Sequence, residues 1–300
     1  MEALHKDKNI FLQAINLVNQ KTGIASEIVE KDYYVTMILK ALSQRLNYIV
    51  FKGGTSLSKC YRVIKRFSED IDITIDENLS QGQKKTVKET IVEIADELGL
   101  TISNLDQTRS HRDYNRYILE YDSIIPGSED FVVRPAVLLE TSYTAISFPT
   151  VVMNVHNYIG DMMKTEAPDY IEQYGLNPFK MKIQGIDRTF IDKIFALCDY
   201  YLQKKINQHS RHIYDIYKLS PYIQKDEKFK KLIENVRQIR KLSSVCPSAV
   251  DGVDVSKLLK EIVESTVYKS DYKEITEKLL EEEVSYEIAI KALEEVTELF

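Results

Sequence analysis

The sequence predicts an α/β (α+β) protein in which a mixed α/β domain over residues 1–185 precedes a helical domain over residues 186–300. Two observations predict the first domain. The short β-type run "YIVF" is followed by a glycine turn, and "DIDITI" at 70–75 alternates charged or polar and apolar residues, as a half-buried strand does. The second domain is predicted because apolar residues keep helical spacing from Arg188 to the C-terminus. We therefore expect the boundary near Gly185.

Two helices are predicted to precede the first strand. Apolar residues recur at helical spacing over 8–45, and the pattern breaks near Gly23. The positions that carry the pattern are Ile10, Phe11, Ala14, Leu17 and Val18 in the first helix and Val35, Ile38, Leu39 and Leu42 in the second.

The glycine turn is predicted to connect a strand to a helix. "YIVF" at 48–51 predicts the strand, and the hydroxyl groups of "GGTSLSK" are suited to cap a helix that runs to about Lys65. In the strand that follows, Asp70, Asp72 and Thr74 are expected on one face and three isoleucines on the other. The later predicted elements are a helix over 83–98 and strands near 101–105, 114–121, 132–143, 149–155 and 179–184.

Composition excludes several classes of protein. The 300 residues are 44% hydrophobic and 29% charged, which predicts a globular protein with substantial cores. No apolar run approaches the ~20 residues of a membrane helix, and the start "MEALHKDKNI" is charged, so we expect a cytoplasmic protein without a secretory signal. Cys60, Cys198 and Cys246 lie far apart without a CxxC pair, which predicts buried or half-buried thiols rather than disulfides or a zinc site.

The net charge of −6 argues against a general nucleic-acid-binding protein, but the charge is unevenly distributed along the chain. Residues 180–241 contain 15 Lys and Arg against 7 Asp and Glu, whereas residues 251–300 contain 6 against 14. The basic segment is suited to face the phosphates of a polyanion. The alternative is that two oppositely charged helical faces attract each other, and the sequence leaves both open.

The glycine turn and the strand after it combine groups that suit phosphate and metal binding. Side chains two apart on a strand point the same way, so Asp70 and Asp72 can reach one Mg²⁺ or Mn²⁺ ion, which prefers oxygen ligands. Gly53 and Gly54 let the backbone approach a ligand closely, and a helix beginning near Thr55 presents N–H groups to an anion. Each feature alone is usually an exposed strand face or a helix cap. Together they predict a metal-bound nucleoside triphosphate.

Two better known phosphate-binding motifs are absent from the sequence. The Walker pattern GxxxxGK[ST] does not occur, since Lys59 is followed by Cys60. "HRDYN" at 111–115 is not a kinase catalytic loop, because its Asn comes too early and no glycine-rich loop or VAIK strand precedes it.

Five motifs, in order along the chain, closely resemble the AbiEii/AbiGii toxin family. They are "EKDYYV" at 30–35, "FKGGTSLSK" at 51–59, "RFSEDIDI" at 66–73, "TFIDKIFAL" at 189–197 and "RHIYDIYKL" at 211–219. Members of that family are nucleotidyltransferase-like toxins of type IV abortive-infection toxin–antitoxin systems. The resemblance implies a fold like that of the DNA polymerase β-type nucleotidyltransferases with a C-terminal helical domain. No motif is matched after about residue 220.

The resemblance implies a metal site built from three carboxylates. Asp70 and Asp72 supply two of them. For the third we choose Glu140, because "RPAVLLETS" is rich in β-forming residues and carries a charge directly after "AVLL". The alternative for Glu140 is an ordinary carboxylate at a strand end. The nucleotide-binding residues that the resemblance implies are Gly53, Gly54, Thr55, Ser56, Lys59 and Arg66.

In the helical half, the resemblance implies that Lys193 binds nucleotide phosphate and that Asp215 belongs to the catalytic centre. The helical pattern turns Lys193 away from the apolar stripe, which by itself predicts a solvated lysine. Asp215 lies four residues after Arg211, the spacing of an ordinary intrahelical ion pair. Arg66 is equally suited to pair with Glu69. These alternatives stay open.

The resulting prediction is a toxin that transfers a nucleotidyl group from a nucleoside triphosphate to an acceptor, with Mg²⁺ or Mn²⁺ as cofactor and RNA, tRNA in particular, as the leading acceptor. Protein hydroxyl groups are the competing acceptor. The alternatives from other classes are a non-catalytic nucleotide- or RNA-binding protein that acts by sequestration, and a structural partner that docks another protein. We expect a monomer without membrane partners and a cognate antitoxin, whose direct contact with the toxin is left open.

Overall fold

A computed structural model describes residues 3–68, 70–126 and 133–300. Glu69, the alternative partner of Arg66, and residue 132, at the start of a predicted strand, lie outside the described residues. Within the described ranges, no helix combines the length and the apolar composition required to cross a membrane.

The chain forms two compact units, and each unit consists of two separate stretches of the sequence. The first unit consists of Met1–Cys60 and Ser68–Ile183, and the second of Tyr61–Phe67 and Gln184–Phe300. The predicted boundary at Gly185 lies close to the later division. No sequence pattern indicates that Tyr61–Phe67 belongs with the C-terminal part.

The first unit is built on one mixed β-sheet, whose strands include those that the alternating runs predict. Its strands are β1 (Ile49–Lys52), β2 (Ile71–Ile75), β3 (Thr101–Ile102), β4 (Tyr114–Glu120), β5 (Ala136–Ile146), β6 (Thr150–Val155) and β7 (Phe179–Gln184). In the described residues these seven strands follow the order β3-β4-β5-β2-β1-β7-β6. The pairs β1·β2, β3·β4 and β4·β5 are antiparallel, whereas β1·β7 and β2·β5 are parallel. The parallel pairing of β2 with β5 brings distant parts of the sequence together.

The helices of the first unit bury an apolar face, which is what their spacing predicts. The first two are separated at Gly23, whose φ of +76° ends the first helix in a left-handed cap. A capping box between Ser80 and Gln83 begins the fourth. The helices are α1 (Lys8–Thr22), α2 (Ser26–Arg45), α3 (Gly53–Ser56), α4 (Gln81–Glu97), α5 (Tyr158–Glu166) and α6 (Asp169–Gln173). Core side chains of this unit include Phe11, Ile15, Ile38, Phe51, Ile73 and Leu139.

Two local predictions around the glycine turn need correction. The helix after β1 was expected to reach about Lys65, but α3 continues as a single π-helical stretch that ends at Tyr61, where the chain enters the second unit. Thr74 follows Asp72 by two residues in β2 and so lies on the same face, as expected, but it is 2% exposed, whereas a half-buried strand would expose that face. The strand is therefore polar at its beginning and buried on both faces further along.

The second unit is helical, and the segment Tyr61–Phe67 pairs with its C-terminal part. Arg66 forms an antiparallel bridge with Leu280, and the N–H of Phe67 donates to the carbonyl of Leu279 at 2.9 Å. The helices are α7 (Ile186–Leu202), α8 (Arg211–Leu219), α9 (Glu227–Arg240), α10 (Val255–Ser265), α11 (Lys269–Asp271), α12 (Glu277–Leu279) and α13 (Tyr286–Val296), with a π-helical stretch over Tyr272–Thr276 between α11 and α12. Core side chains of this unit include Phe190, Phe195, Ile213, Tyr214, Leu259, Tyr272 and Leu293.

The three cysteines are free thiols, as their spacing predicts. Cys60 and Cys198 are buried, and Cys246 is half-buried. Burial raises the pKa of the Cys60 thiol to about 12, so this sulfur stays protonated near neutral pH.

Candidate active site

The turn after β1 brings the backbone against an acidic side chain. Gly53 has a φ of +78°, a conformation that residues with a Cβ atom rarely adopt. A Cβ atom built at this position would lie 2.9 Å from Cγ of Asp72 and closer still to its Oδ2. Both the backbone conformation and the close approach therefore require glycine, and they join the glycine turn to a predicted metal ligand.

The hydroxyl groups of the turn are engaged inside the protein. Ser56 Oγ donates to the carbonyl of Gly53 at 2.8 Å, and Thr55 Oγ1 lies 2.9 Å from Ser68 Oγ. Both Thr55 and Ser56 are buried. These bonds fix the shape of the turn, in which Gly54 is partly exposed. The predicted phosphate contacts of Thr55 and Ser56 stay predictions, and they would require the hydroxyls to exchange their present partners.

Lys59 is buried in an ion pair rather than open to solvent. Its ammonium contacts the Asp32 carboxylate and lies 3.3 Å from the Asp32 carbonyl oxygen. The second carboxylate oxygen of Asp32 accepts a hydrogen bond from the N–H of Tyr158 at 3.0 Å. Asp32 thus connects α2 to the π-helical stretch after α3 and to the start of α5. A phosphate contact by Lys59 stays a prediction, and it would require the Asp32 pair to open.

Charged side chains form a row across four adjacent strands of the sheet. Lys52 in β1 pairs with Asp72 in β2, and Asp72 pairs with Glu140 in β5. Arg116 in β4 pairs with Glu140 from the other side, and its Nε lies 3.5 Å from Glu140 Oε1. Paired residues on neighbouring strands project from the same face, about 4.8 Å apart at the backbone. Asp72 and Glu140 are therefore direct neighbours, with a cationic residue beyond each of them.

The environment of Glu140 opposes its charged form. Burial raises the pKa of Glu140, and the adjacent Asp72 carboxylate raises it further, against the opposing effects of the Tyr114 hydroxyl, Arg116 and Lys52. The net direction is upward. When both carboxyl groups are ionised, this part of the sheet is an anionic site that a cation would stabilise.

The chemistry of these side chains fits a divalent cation. Asp72 and Glu140 offer adjacent carboxylate oxygens, the ligands that Mg²⁺ and Mn²⁺ prefer. Asp70 lies one residue before β2 and is half-buried. In the part of the chain that the structure describes, no three His, Cys, Asp or Glu side chains already converge on one point. A complete coordination shell would therefore include water or substrate oxygens, as is usual for Mg²⁺.

A second charged cluster, in the helical unit, consists of Arg66, Lys193 and Asp215. Arg66 binds the Asp215 carboxylate through two parallel hydrogen bonds, from Nε to Oδ1 at 2.7 Å and from Nη2 to Oδ2 at 2.8 Å. Lys193 Nζ lies 2.6 Å from the same Oδ2. Asp215 is 0% exposed, and both cations are buried. The cluster therefore pairs two cations with one carboxylate.

Titration of this cluster is controlled by its internal ion pairs. Burial alone would raise the pKa of Asp215, but the Arg66 guanidinium and the Lys193 ammonium hold it well below its usual range. Burial lowers the pKa of Lys193, which Asp215 partly offsets. Asp215 is thus a fixed anion whose two oxygens are both engaged, and it is poorly suited to accept a proton at neutral pH.

The sequence-based interpretation of Lys193 as a solvated lysine is wrong, because its side chain is buried on Asp215. The observed partners of Asp215 are Arg66 and Lys193, where the helical spacing had suggested Arg211. The predicted contact of Arg66 with phosphate stays a prediction. Its guanidinium already binds a carboxylate.

The ion pairs of the basic segment, 180–241, support the interpretation that it attracts acidic side chains, and the interpretation that it faces the phosphates of a polyanion stays a prediction. Several of its cations pair within the segment, as Arg240 does with Asp192 and Asp199. Two others reach the acidic stretch, since Lys218 pairs with Glu282 and Lys241 with Asp251. Lys204 and Lys205 are exposed.

Sequence reasoning missed three residues that border the predicted site. Asp32 holds Lys59, although only its place in "EKDYYV" pointed to it. Tyr114 and Arg116 border Glu140 from β4, and the alternation 114, 116, 118 along that strand was the available signal. Tyr114 and Asn115, which precede Arg116, had been considered only as the end of the kinase-like sequence "HRDYN".

Comparison with known proteins gives one family and one fold. Residues 38–297 match a sequence model of the family described as "Nucleotidyl transferase AbiEii toxin, Type IV TA system". Among solved structures, MenT4, a nucleotidyltransferase toxin from Mycobacterium tuberculosis H37Rv, aligns with a TM-score of 0.52 over 95% of this chain and 88% of its own, at 14% identity. At that identity the likeness shows the fold alone, and it agrees with the predicted fold class. No curated protein matches this chain in sequence.

Proposed function

Since the chain belongs to the AbiEii family of nucleotidyltransferase toxins of type IV toxin–antitoxin systems, we propose that it moves a nucleotidyl group from a nucleoside triphosphate to RNA, in particular tRNA, with the help of Mg²⁺ or Mn²⁺. The observation that carries this proposal is the pairing of Asp72 with Glu140 on neighbouring strands, with Gly53 packed against the Asp72 carboxylate. This arrangement supports a metal-bound triphosphate beside the glycine turn.

In the proposed reaction an acceptor hydroxyl oxygen attacks the α-phosphorus. The bond from that phosphorus to the oxygen bridging the α- and β-phosphates breaks, and pyrophosphate leaves. Asp70, Asp72 and Glu140 would hold the divalent cation, which when bound neutralises charge on the phosphates. The backbone of Gly53 and Gly54 would bind and orient the triphosphate.

Lys193 and Asp215 are proposed to act in the same reaction. The support is charge, because two buried cations share one carboxylate and the cluster therefore carries an excess positive charge. Such a cluster is suited to bind phosphate oxygens. In this proposal Lys193 contacts phosphate, while Asp215 and Arg66 hold the lysine in place.

The test is incubation of the protein with total RNA, Mg²⁺ or Mn²⁺, and each nucleoside triphosphate labelled in turn at the α- or the γ-phosphate. Nucleotidyl transfer labels RNA from the α-label only. Asp72→Asn and Glu140→Gln are expected to abolish the label on RNA. The matched control Glu120→Gln is expected to keep it, because Glu120 lies on the same face of the sheet as Glu140 but pairs with Arg134. Labelled protein would make protein the acceptor. Transfer by both site variants at the parent rate would contradict the proposed metal site.

A further inference from the structure

We propose that Tyr114 and Arg116 form a stacking platform for a nucleobase beside the Asp72–Glu140 pair. The inference rests on the proposed function and extends it from the phosphates to the base. The base belongs either to the nucleoside triphosphate or to the RNA acceptor.

Position on the sheet is the first support. Tyr114 pairs with Ser142 and Arg116 with Glu140, so the two β4 side chains lie on the face of the sheet that carries Glu140 and Asp72. Diagonal neighbours across an antiparallel pair are within reach of an aromatic side chain. Tyr114 is accordingly near enough to Glu140 that each residue contributes to the raised or lowered pKa of the other.

Exposure is the second support, and it separates Tyr114 from the other tyrosines of the same strands. Tyr117 and Tyr143 are 1% and 8% exposed and belong to the core, whereas Tyr114 is 51% exposed. A large part of its ring surface therefore faces solvent. A base that stacks on this ring would bury apolar surface, and a tyrosine side chain has only about two torsions to order on binding.

The chemistry of the neighbouring side chain is the third support. The Arg116 guanidinium lies against Glu140, and its side chain is 51% exposed. An aromatic ring combined with an arginine is the pairing that proteins use for single-stranded nucleic acid, where rings and guanidinium planes stack on bases of any sequence. The carboxylates next to this pair are the proposed metal ligands, so a base on the platform would have its phosphates within reach of the metal.

The experiment compares probes that have a base with probes that lack it. In one arm, the binding of each nucleoside triphosphate, in a form with a non-hydrolysable α,β-bridge, is compared with that of inorganic triphosphate, all with Mg²⁺. In the other arm, a short single-stranded RNA is compared with an abasic strand of equal length. The variants are Tyr114→Leu, which removes the ring, and Tyr114→Phe, which keeps it and removes the hydroxyl. Tyr222→Leu is the control, because Tyr222 is similarly exposed at 57% in the helical unit.

Tyr114→Leu is expected to weaken binding of the base-bearing probe in one arm by roughly 5- to 100-fold, the range of single-base stacking. Binding of the base-free probe is expected to change by no more than about 2-fold. Tyr114→Phe should weaken binding of the base-bearing probe far less, and Tyr222→Leu should not change it. The arm that responds identifies the source of the base. Equal binding of all probes by Tyr114→Leu and parent would overturn the platform. So would equal losses for base-bearing and base-free probes, because Tyr114 would then only orient Glu140. If the parent binds no probe in either arm, the proposed function fails as well.

Discussion

The two acidic centres of this protein differ in how their charge is balanced. On the sheet of the first unit, Asp72 and Glu140 are adjacent, partly exposed carboxylates, and burial together with the Asp72 charge raises the pKa of Glu140. In the helical unit, Asp215 is fully buried, and Arg66 and Lys193 occupy both its oxygens. In the first centre Lys52 and Arg116 lie beyond the carboxylate pair, one on each side, and the two adjacent carboxylates suit a cation. The second contains its own cations.

Acidic side chains are therefore expected to have opposite effects on stability in the two centres. Ionised Asp72 and Glu140 are expected to lower the stability of the metal-free protein, because like charges repel in a partly buried site. Ionised Asp215 is expected to raise it, because its absence would leave two buried cations without a partner. The comparison can be tested by substitutions in each centre.

The largest effect is expected from Asp215→Ala, which should lower the free energy of unfolding by about 3–5 kcal/mol because Arg66 and Lys193 would remain buried and uncompensated. Urea unfolding measures it. The control is Asp251→Ala in the same unit, whose exposed pair with Lys241 should contribute no more than about 1 kcal/mol. Similar decreases in the unfolding free energy of the two variants would show that the buried cluster contributes no more to stability than an exposed ion pair.

Acid provides an independent test of the Asp215 cluster. The pKa of Asp215 is lower in the folded protein than its ordinary value of 3.8, so its contribution to stability is complete above that value and is lost as the pH falls through the folded pKa. The stability difference between parent and Asp215→Asn should therefore be constant near neutral pH and shrink below about pH 4. A difference that grows on acidification would reverse the assigned sign.

Gly53→Ala should cost about 1–2 kcal/mol for the left-handed backbone and more for the overlap with Asp72. Gly23→Ala is a matched control, because Gly23 has a φ of +76° with no atom within 4 Å of the added Cβ. The excess loss in Gly53→Ala over Gly23→Ala measures the steric conflict. Adding Asp72→Ala to Gly53→Ala should recover that excess, and failure to recover it would place the conflict elsewhere.

Glu140→Gln is expected to raise the stability of the metal-free protein at neutral pH by about 0.5 kcal/mol, the scale of a partly exposed charge interaction. The pKa of Glu140 is raised above its ordinary value of 4.5, so the parent loses stability as the pH rises from 4.5 through the folded pKa. The advantage of the variant should accordingly appear above about pH 4.5 and be absent below it. Mg²⁺ should raise the melting temperature of the parent more than that of the variant. An equal response of both to Mg²⁺ would remove Glu140 from the metal site.

The smallest effect on stability is expected from reversing two exposed charges, Lys204→Glu and Lys205→Glu, which should change it by no more than about 0.5 kcal/mol. If these lysines steer RNA, the reversed protein should bind RNA more weakly and with a smaller dependence on salt, because fewer counterions are released. Binding of the free nucleoside triphosphate should not change. Equal RNA affinities and equal salt slopes for parent and variant would remove the steering role.

Much of the fold follows from local pattern. The alternating run predicts β2, helical spacing predicts α1 and α2 with the break at Gly23, and the motifs correctly identify the family. The adjacency of Asp72 and Glu140 depends instead on the parallel pairing of β2 with β5. Periodicity within one strand carries no information about which other strand lies beside it.

Helical periodicity failed to predict the burial of Lys193, again because a pattern within one element does not show which other element lies beside it. Helical periodicity separates an apolar stripe from the rest of the surface and assigns any lysine outside the stripe to solvent. A buried cation needs a buried anion, and here the anion lies on another helix and is shared with Arg66, 149 residues earlier in the chain. Only the three-dimensional structure brings the three charges together.

The membership of Tyr61–Phe67 in the second unit has a consequence for how proteins of this architecture can be recombined. A chimera that exchanged only residues 184–300 between two such proteins would combine Asp215 of one parent with Arg66 of the other, and Leu279 with a foreign backbone partner at Phe67. The helical half is therefore not a module that can be transplanted as one continuous piece. A working graft has to carry the seven-residue segment from the middle of the donor chain together with its C-terminal part.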